Sequence, residues 1–141
     1  MNAPLYTTEI LRLAASLPEP SELERVDGSS EQRSSTCGST LSLQVQLNDE
    51  GRVEAVSQQV HACAFGQASA SLLAASAGGE SRERVGEALT DLESWLSGTR
   101  DDPGSWPGLA ALAPARSRRS RHGAILLPFR ALLAAMTSAR G

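Results

Sequence analysis

The stretch Thr36–Leu73, TCGSTLSLQVQLNDEGRVEAVSQQVHACAFGQASASLL, decides the fold because it predicts a β-hairpin followed by a helix. Its segment 41–47, LSLQVQL, alternates strictly between apolar and polar residues, which is typical of a strand with one buried face. NDEG forms a turn in which Gly51 can adopt a positive φ, and 52–62 predicts the return strand. The next segment, AFGQASASLLAAS, predicts a helix rich in small residues that ends at Gly78.

Both cysteines of the chain, Cys37 and Cys63, stand at the two ends of this predicted hairpin. Because antiparallel strands return the chain to its starting end, the hairpin would bring both thiols to one end of the sheet. Cys63 would begin the helix, where unpaired backbone N–H groups favour a thiolate. In a cytoplasmic protein, two such cysteines favour a metal site or a reactive thiol over a disulfide. Only His61 and His122 could add imidazole ligands, and their spacing is no local zinc signature.

Composition and charge restrict the class of protein. We see no leader peptide and no apolar run of the ~20 residues that a membrane span requires, so we expect a cytoplasmic chain. The net charge of −3 is uneven, since residues 1–110 carry −9 whereas residues 111–141 carry +6. Four arginines are clustered in the basic part, at Arg116, Arg118, Arg119 and Arg121. No aromatic residue interleaves them and the whole chain is acidic, which favours intramolecular pairing or a protein partner over nucleic acid.

The remaining segments predict helices around the hairpin. TTEILRLAASL predicts a first helix over about 7–17, and a short edge strand is predicted near 31–34. ESRERVGEALTDLESWLSG is an amphipathic helix, and LAALA predicts a helical turn. HGAILLPFRALLAAMTSAR predicts a last helix in which Pro128 either lies in the first turns or causes a kink. The pattern predicts one α+β domain over 1–141, with a small antiparallel sheet of about three strands packed against several α-helices.

The central stretch resembles a known family. Its Cys-Gly pair before the hairpin, its NDEG turn and its cysteine before an ASAS-type helix are similar to the core of NifU/IscU-type iron–sulfur cluster assembly scaffolds. RHGAIL resembles the closing segment of that family, which ends in His-Cys-Ser-Ile-Leu. The resemblance implies an α+β domain that assembles a [2Fe–2S] cluster on three cysteines and a neighbouring residue. It also implies sulfur delivery by a cysteine desulfurase, apo client proteins as acceptors and, in many relatives, Zn²⁺ in the same pocket.

Two family positions are changed in this chain. The resemblance places Cys37 and Cys63 on the first two cysteine ligands and His122 on the histidine of the His-Cys pair. Ser39 stands where the family has aspartate, and Gly123 stands where it has the third cysteine. LAPAR takes the place of the family's Leu-Pro-Pro-Val-Lys chaperone-recognition motif.

The resemblance then implies that Cys37, Cys63 and His122 bind iron or a [2Fe–2S] cluster, because histidine replaces cysteine in Rieske centres. The fourth ligand is open between Ser39, His61, water and a partner, and a homodimer would supply four thiolates.

Three functions are open on the sequence. The first is an iron–sulfur cluster scaffold or carrier. The second is a zinc-stabilised persulfide acceptor, in which Cys63 or Cys37 takes sulfur from a desulfurase. The third is a protein-interaction module that keeps the fold without metal. The chain itself is not predicted to be an enzyme, and no catalytic residue is assigned.

Overall fold

The computed structural model describes residues 6–35 and 38–139, which form a small sheet and several helices. The strands are β1 (Gly28–Arg33), β2 (Thr40–Leu47) and β3 (Val53–His61). The α-helices are α1 (Thr8–Ala15), α2 (Ala64–Ser76), α3 (Arg82–Ser97) and α4 (Arg119–Ala139), and a 3₁₀ helix spans Leu109–Ser117. The predicted α+β class is confirmed.

The sheet is an antiparallel meander with the order β1-β2-β3. The β2–β3 hairpin pairs Thr40 with His61 at one end and Leu47 with Val53 at the other, with a register irregularity beside Leu47. The side-chain oxygen of Asn48 accepts from two turn amides, at 2.9 and 3.0 Å. Gly51 takes φ 80° in this turn. The predicted hairpin is therefore confirmed.

One face of the sheet forms the core. Leu41, Leu43 and Val45 of β2 are buried, and α4 packs against β1 and β2. The edge strand was predicted near 31–34, but β1 begins at Gly28. A Cβ at Gly28 would collide with the backbone carbonyl of Ala135 in α4. Only glycine at this position therefore allows the polar strand β1 to lie so close to the helix.

Helix ends follow their capping residues. Thr7 caps α1 by accepting from the amide of Ile10 at 3.1 Å. Ser81 caps α3 by accepting from the amide of Arg84, also at 3.1 Å, and Gly98 ends that helix with φ 88°. The predicted amphipathic helix is confirmed. Of its expected apolar stripe, Val85, Ala88, Leu92 and Leu96 are buried and Leu89 is half-buried, and Trp95 is buried as well.

Helix α4 differs from its prediction at its start. It begins at Arg119 rather than His122, and the 3₁₀ helix leads almost directly into it. The polar residues at this junction have no apolar pattern from which the start of the helix could be predicted. Pro128 lies in the interior of α4, where it cannot donate the usual backbone hydrogen bond. By length and composition α4 could cross a membrane, yet 56% of its most apolar window is buried in the fold, as in a core helix.

Candidate functional site

Cys63 is the N-cap residue of α2. Its backbone is extended, with φ −67° and ψ 173°, and its carbonyl accepts the first helical hydrogen bond from the amide of Gln67 at 3.0 Å. Its side chain makes no capping hydrogen bond, and it is half-buried against the edge of the core. The predicted position at the strand-to-helix junction is confirmed. The thiol thus lies beside the unpaired backbone amides of the first turn but does not form a hydrogen bond with them.

The other end of the hairpin lies at the same edge of the sheet. Thr40, the first residue of β2, pairs with His61, the last residue of β3. Gly38, just before β2, and Cys63, just after β3, therefore lie at the same end of the hairpin. Gly38 has φ 72°, in the left-handed region that strongly favours glycine, so the residue after Cys37 is restricted by the backbone. The glycine directly after Cys37 was the signal in the sequence for this backbone conformation, and the prediction did not use it. Cys37 itself lies outside the described residues.

Ser39 and His61 have different surroundings. Ser39 is only 4% exposed, and its carbonyl accepts from the amide of Ser34 at 2.9 Å. His61 is exposed at the last position of β3. Strand alternation was expected to place His61 and Cys63 on one face. However, β3 ends at His61, so the alternation does not reach Cys63.

The start of α4 packs against the first turn of α2. A Cβ at Gly66 would lie 2.6 Å from the Cβ of Ala62 and 3.2 Å from the Cβ of Ala124. The two helices therefore approach with no side chain between them at this point. Gly123, where the resemblance expects the third cysteine, immediately precedes the residue of α4 that faces α2.

His122 lies on another side of α4. Two residues along an α-helix correspond to a rotation of about 200°, so His122 points away from the direction of Ala124. Its Nε2 lies 2.9 Å from the carbonyl oxygen of Ala115 and 3.1 Å from that of Arg116. Carbonyls only accept, so Nε2 must carry the proton and Nδ1 is left as the nitrogen that could bind a metal. Because α4 begins three residues earlier, at Arg119, His122 lies within its first turn.

The structure thus brings part of the predicted ligand set to one place. Cys63, Gly38 and Ser39 lie at one end of the hairpin, whereas His122 lies against the 3₁₀ helix. Within residues 6–35 and 38–139, no group of three or more His, Cys, Asp or Glu side chains could hold a metal ion. The predicted set also includes Cys37, which lies outside the described residues.

Comparison with known proteins defines the class of this fold. The model of the NifU-like N-terminal domain matches residues 5–100, which include Cys37 and Cys63 and end before His122. The chain belongs to the NifU-like N-terminal domain family.

Two solved structures extend this likeness over nearly the whole chain. A nitrogen-fixing NifU-like protein (N-terminal part) from Brucella abortus is 27% identical, with a TM-score of 0.88, over 96% of this chain and 94% of its own. A candidate iron–sulfur cluster assembly scaffold protein for the SUF system, from the thermophile Fervidobacterium islandicum, is 20% identical, with a TM-score of 0.83, over 94% of this chain and 96% of its own. No curated protein sequence matches the chain significantly.

Proposed function

We propose that this chain is an iron–sulfur cluster assembly scaffold or carrier, which binds iron and a [2Fe–2S] cluster as cargo. The single observation that carries the proposal is the thiol of Cys63 at the N-cap of α2, half-buried and not used for capping. Membership of the NifU-like N-terminal domain family supports it, since the family match includes both cysteines. The described role of the Fervidobacterium protein, which shares the fold, agrees with it.

The thiolates of Cys37 and Cys63 are the principal proposed ligands. Iron–sulfur clusters are held mainly by thiolates, and the chain has two. The N-terminus of α2 would stabilise the negative charge of a thiolate-ligated cluster through its unpaired amides. No charged side chain stands in the first turn to compete for those amides. A half-buried rather than fully buried thiol is also suited to a cargo that must be loaded and released.

His122 is the proposed third ligand, acting through Nδ1. Metal-binding histidines commonly donate their other ring N–H to a carbonyl, which orients the ring. The two carbonyls beside Nε2, those of Ala115 and Arg116, supply this arrangement. Because His122 points away from the side of α4 that faces α2, ligation beside Cys63 would require the start of α4 and the 3₁₀ helix to move together. Ser39 and His61 are the proposed internal alternatives for the fourth position.

A homodimer is the alternative to ligation by His122, because a second chain would supply the missing thiolates. Two chains bring four cysteines, enough for a complete [2Fe–2S] ligand set without the absent third cysteine at position 123. We propose a cysteine desulfurase as the sulfur donor, apo client proteins as acceptors and the cytoplasm as the location. Nucleic acid and membranes are not proposed as partners.

A zinc-binding persulfide acceptor is the second candidate. The position of Cys63 favours it, because a partly exposed thiol that makes no capping hydrogen bond is accessible to a persulfide on a partner protein. Zinc suits tetrahedral sets of cysteine and histidine. This function would use the same thiols but would leave the protein colourless and without labile sulfide.

Anaerobic reconstitution with iron and sulfide tests the scaffold proposal. We expect visible absorption and equal iron and labile sulfide in the unaltered chain, with both lost in Cys37→Ala and Cys63→Ala and reduced in His122→Ala. Cys63→Ala should not weaken α2, since the thiol makes no capping hydrogen bond. His61→Ala is the imidazole control for His122→Ala. Full cluster content in Cys63→Ala would overturn the proposal, and a cluster-bearing monomer would overturn the dimer.

A further inference from the structure

The four clustered arginines do not all have the same role. Arg116 is used inside the fold, where its guanidinium donates to the carbonyl oxygens of Trp95 at 3.0 Å and Arg100 at 3.3 Å. It also lies 5.1 Å from the centre of the Trp95 ring, within the range of a cation–π contact. Arg116 therefore holds the C-terminal end of α3. We use the term arginine surface for the other three arginines, Arg118, Arg119 and Arg121.

The arginine surface is not neutralised within the fold. In the part of the chain that the structure describes, none of its three side chains forms an ion pair or a hydrogen bond. Arg118 and Arg119 are exposed, and Arg121 is half-buried. Other arginines do pair, as Arg130 does with Glu93 at 3.2 Å. Arg116 is thus held by carbonyl oxygens and an aromatic ring rather than by an acidic group, and in the described residues the arginine surface has no intramolecular ion pair either.

The position of this surface is unfavourable for the chain alone. Helix α4 begins at Arg119, so two of the three charges lie at the positive end of a 21-residue helix, with no acidic residue in its first turn. Binding of a negatively charged group would relieve this unfavourable interaction with the helix dipole.

A groove of about 580 Å³ adjoins the arginine surface, between the end of α3 and the start of α4. Arg119 and His122 line it from α4, and Ser97 and Gly98 line it from the other side. Of the arginine surface, Arg119 lines the groove, so a segment lying there would contact its guanidinium group. The arginine surface thus adjoins an open concavity, and its positive charge favours an acidic ligand.

We propose that the arginine surface and its groove bind an acidic segment of a partner protein. Nucleic acid fits less well, because both tryptophans, Trp95 and Trp106, are buried and offer no stacking surface. Three free charges are also fewer than the ~6–10 phosphate contacts of a typical DNA-binding protein. Residues 1–110, with a charge of −9, would repel a long polyanion. The three arginines are not proposed cluster ligands, although His122, which lines the groove, is one.

Binding of a fluorescein-labelled octaglutamate peptide to the full chain, followed by anisotropy at low ionic strength, tests the proposal. We expect the triple variant Arg118→Gln, Arg119→Gln, Arg121→Gln to bind about tenfold more weakly. The control Arg12→Gln, Arg82→Gln, Arg130→Gln removes the same charge elsewhere and should change affinity less than about twofold. The triple variant should melt no lower than the unaltered chain, and Arg119→Gln alone should show part of the loss.

Three results would overturn the proposal. Equal weakening in both triple variants would show that only net charge matters. Single-stranded DNA of matched charge that binds more tightly than the peptide, and depends on the same arginines, would make the surface a nucleic-acid site. In the third result, the unaltered chain does not bind the peptide but self-associates, and only the arginine-surface variant loses self-association. The partner would then be a second copy of the chain.

Discussion

The hydroxyl of Ser69 in α2 donates a hydrogen bond of 2.6 Å to the backbone carbonyl of Ile125 in α4. This bond lies next to the point where Pro128 deprives the carbonyl of Ala124 of its helical donor. Helix α2 therefore supports α4 where the proline weakens it. Because Cys63 begins α2, the same contact fixes the candidate site relative to α4.

Ser69→Ala should lower the free energy of unfolding by about 1–3 kcal/mol, because it removes a fully buried hydrogen bond. Chemical denaturation measures this loss. Ser97→Ala is the matched control, since the hydroxyl of Ser97 is exposed, and a change within about 0.5 kcal/mol is expected there. Equal stability of both variants would show that the α2–α4 bond contributes nothing.

Gly66→Ala should also destabilise the protein, by about 1–3 kcal/mol, despite the better helix propensity of alanine. The new Cβ would meet the Cβ atoms of Ala62 and Ala124, neither of which can rotate away. Gly86→Ala in α3 is the control, because its Cβ would lie 3.8 Å from the nearest atom, a Cδ of Leu133. It should stabilise the protein by about 0.5–1 kcal/mol. If thermal denaturation ranks the two variants in the opposite order, the close approach of α2 and α4 is wrong.

Asp27 should make stability depend on pH. Hydrogen bonds from the Arg25 side chain and the Leu47 amide lower the pKa of this carboxyl group below its usual value. A lowered pKa means that the carboxylate stabilises the fold above the pKa of the unfolded chain, about 3.8 for this group. The stabilisation is lost as the pH falls through the folded value. Asp27→Asn should therefore reduce stability at neutral pH and converge with the unaltered chain in acid. A difference that grows toward low pH would contradict this assignment.

Gly123→Cys should increase the iron and labile sulfide that each chain retains, because it restores the third thiol that the resemblance implies. Position 123 precedes Ala124, which faces Gly66 in the first turn of α2. Gly123→Ala separates the effect of the thiol from that of an added Cβ. If the two variants retain equal amounts of iron, position 123 is not near the cluster.

Much of the fold could be predicted from local pattern. The alternation of Leu41, Leu43 and Val45 and the turn at Gly51 identified the hairpin, because each signal lies within a few residues. The start of β1 at Gly28 could not be predicted, since its polar sequence does not alternate. Its position depends on close packing against α4, a contact distant in sequence.

The candidate site was predictable only in part, for a similar reason. Cys63 could be placed at the start of α2 because hairpin and helix are contiguous with it. The side of α4 on which His122 lies depends on where that helix begins, and Arg119–Arg121 give no apolar pattern to mark the start. The hydrogen bonds of Arg116 to Trp95 and Arg100 likewise join segments that are distant in sequence, so no local pattern predicts them.

Metal and labile sulfide content of the protein as isolated under anaerobic conditions, beside Cys63→Ala, is the most direct measurement of the central claim. The scaffold proposal predicts iron with an equal amount of labile sulfide in the unaltered chain and neither in the variant. Zinc without sulfide, lost in the variant, would contradict it in favour of the persulfide acceptor. Identical metal content in both proteins would contradict any role of the α2 N-cap thiol in binding metal.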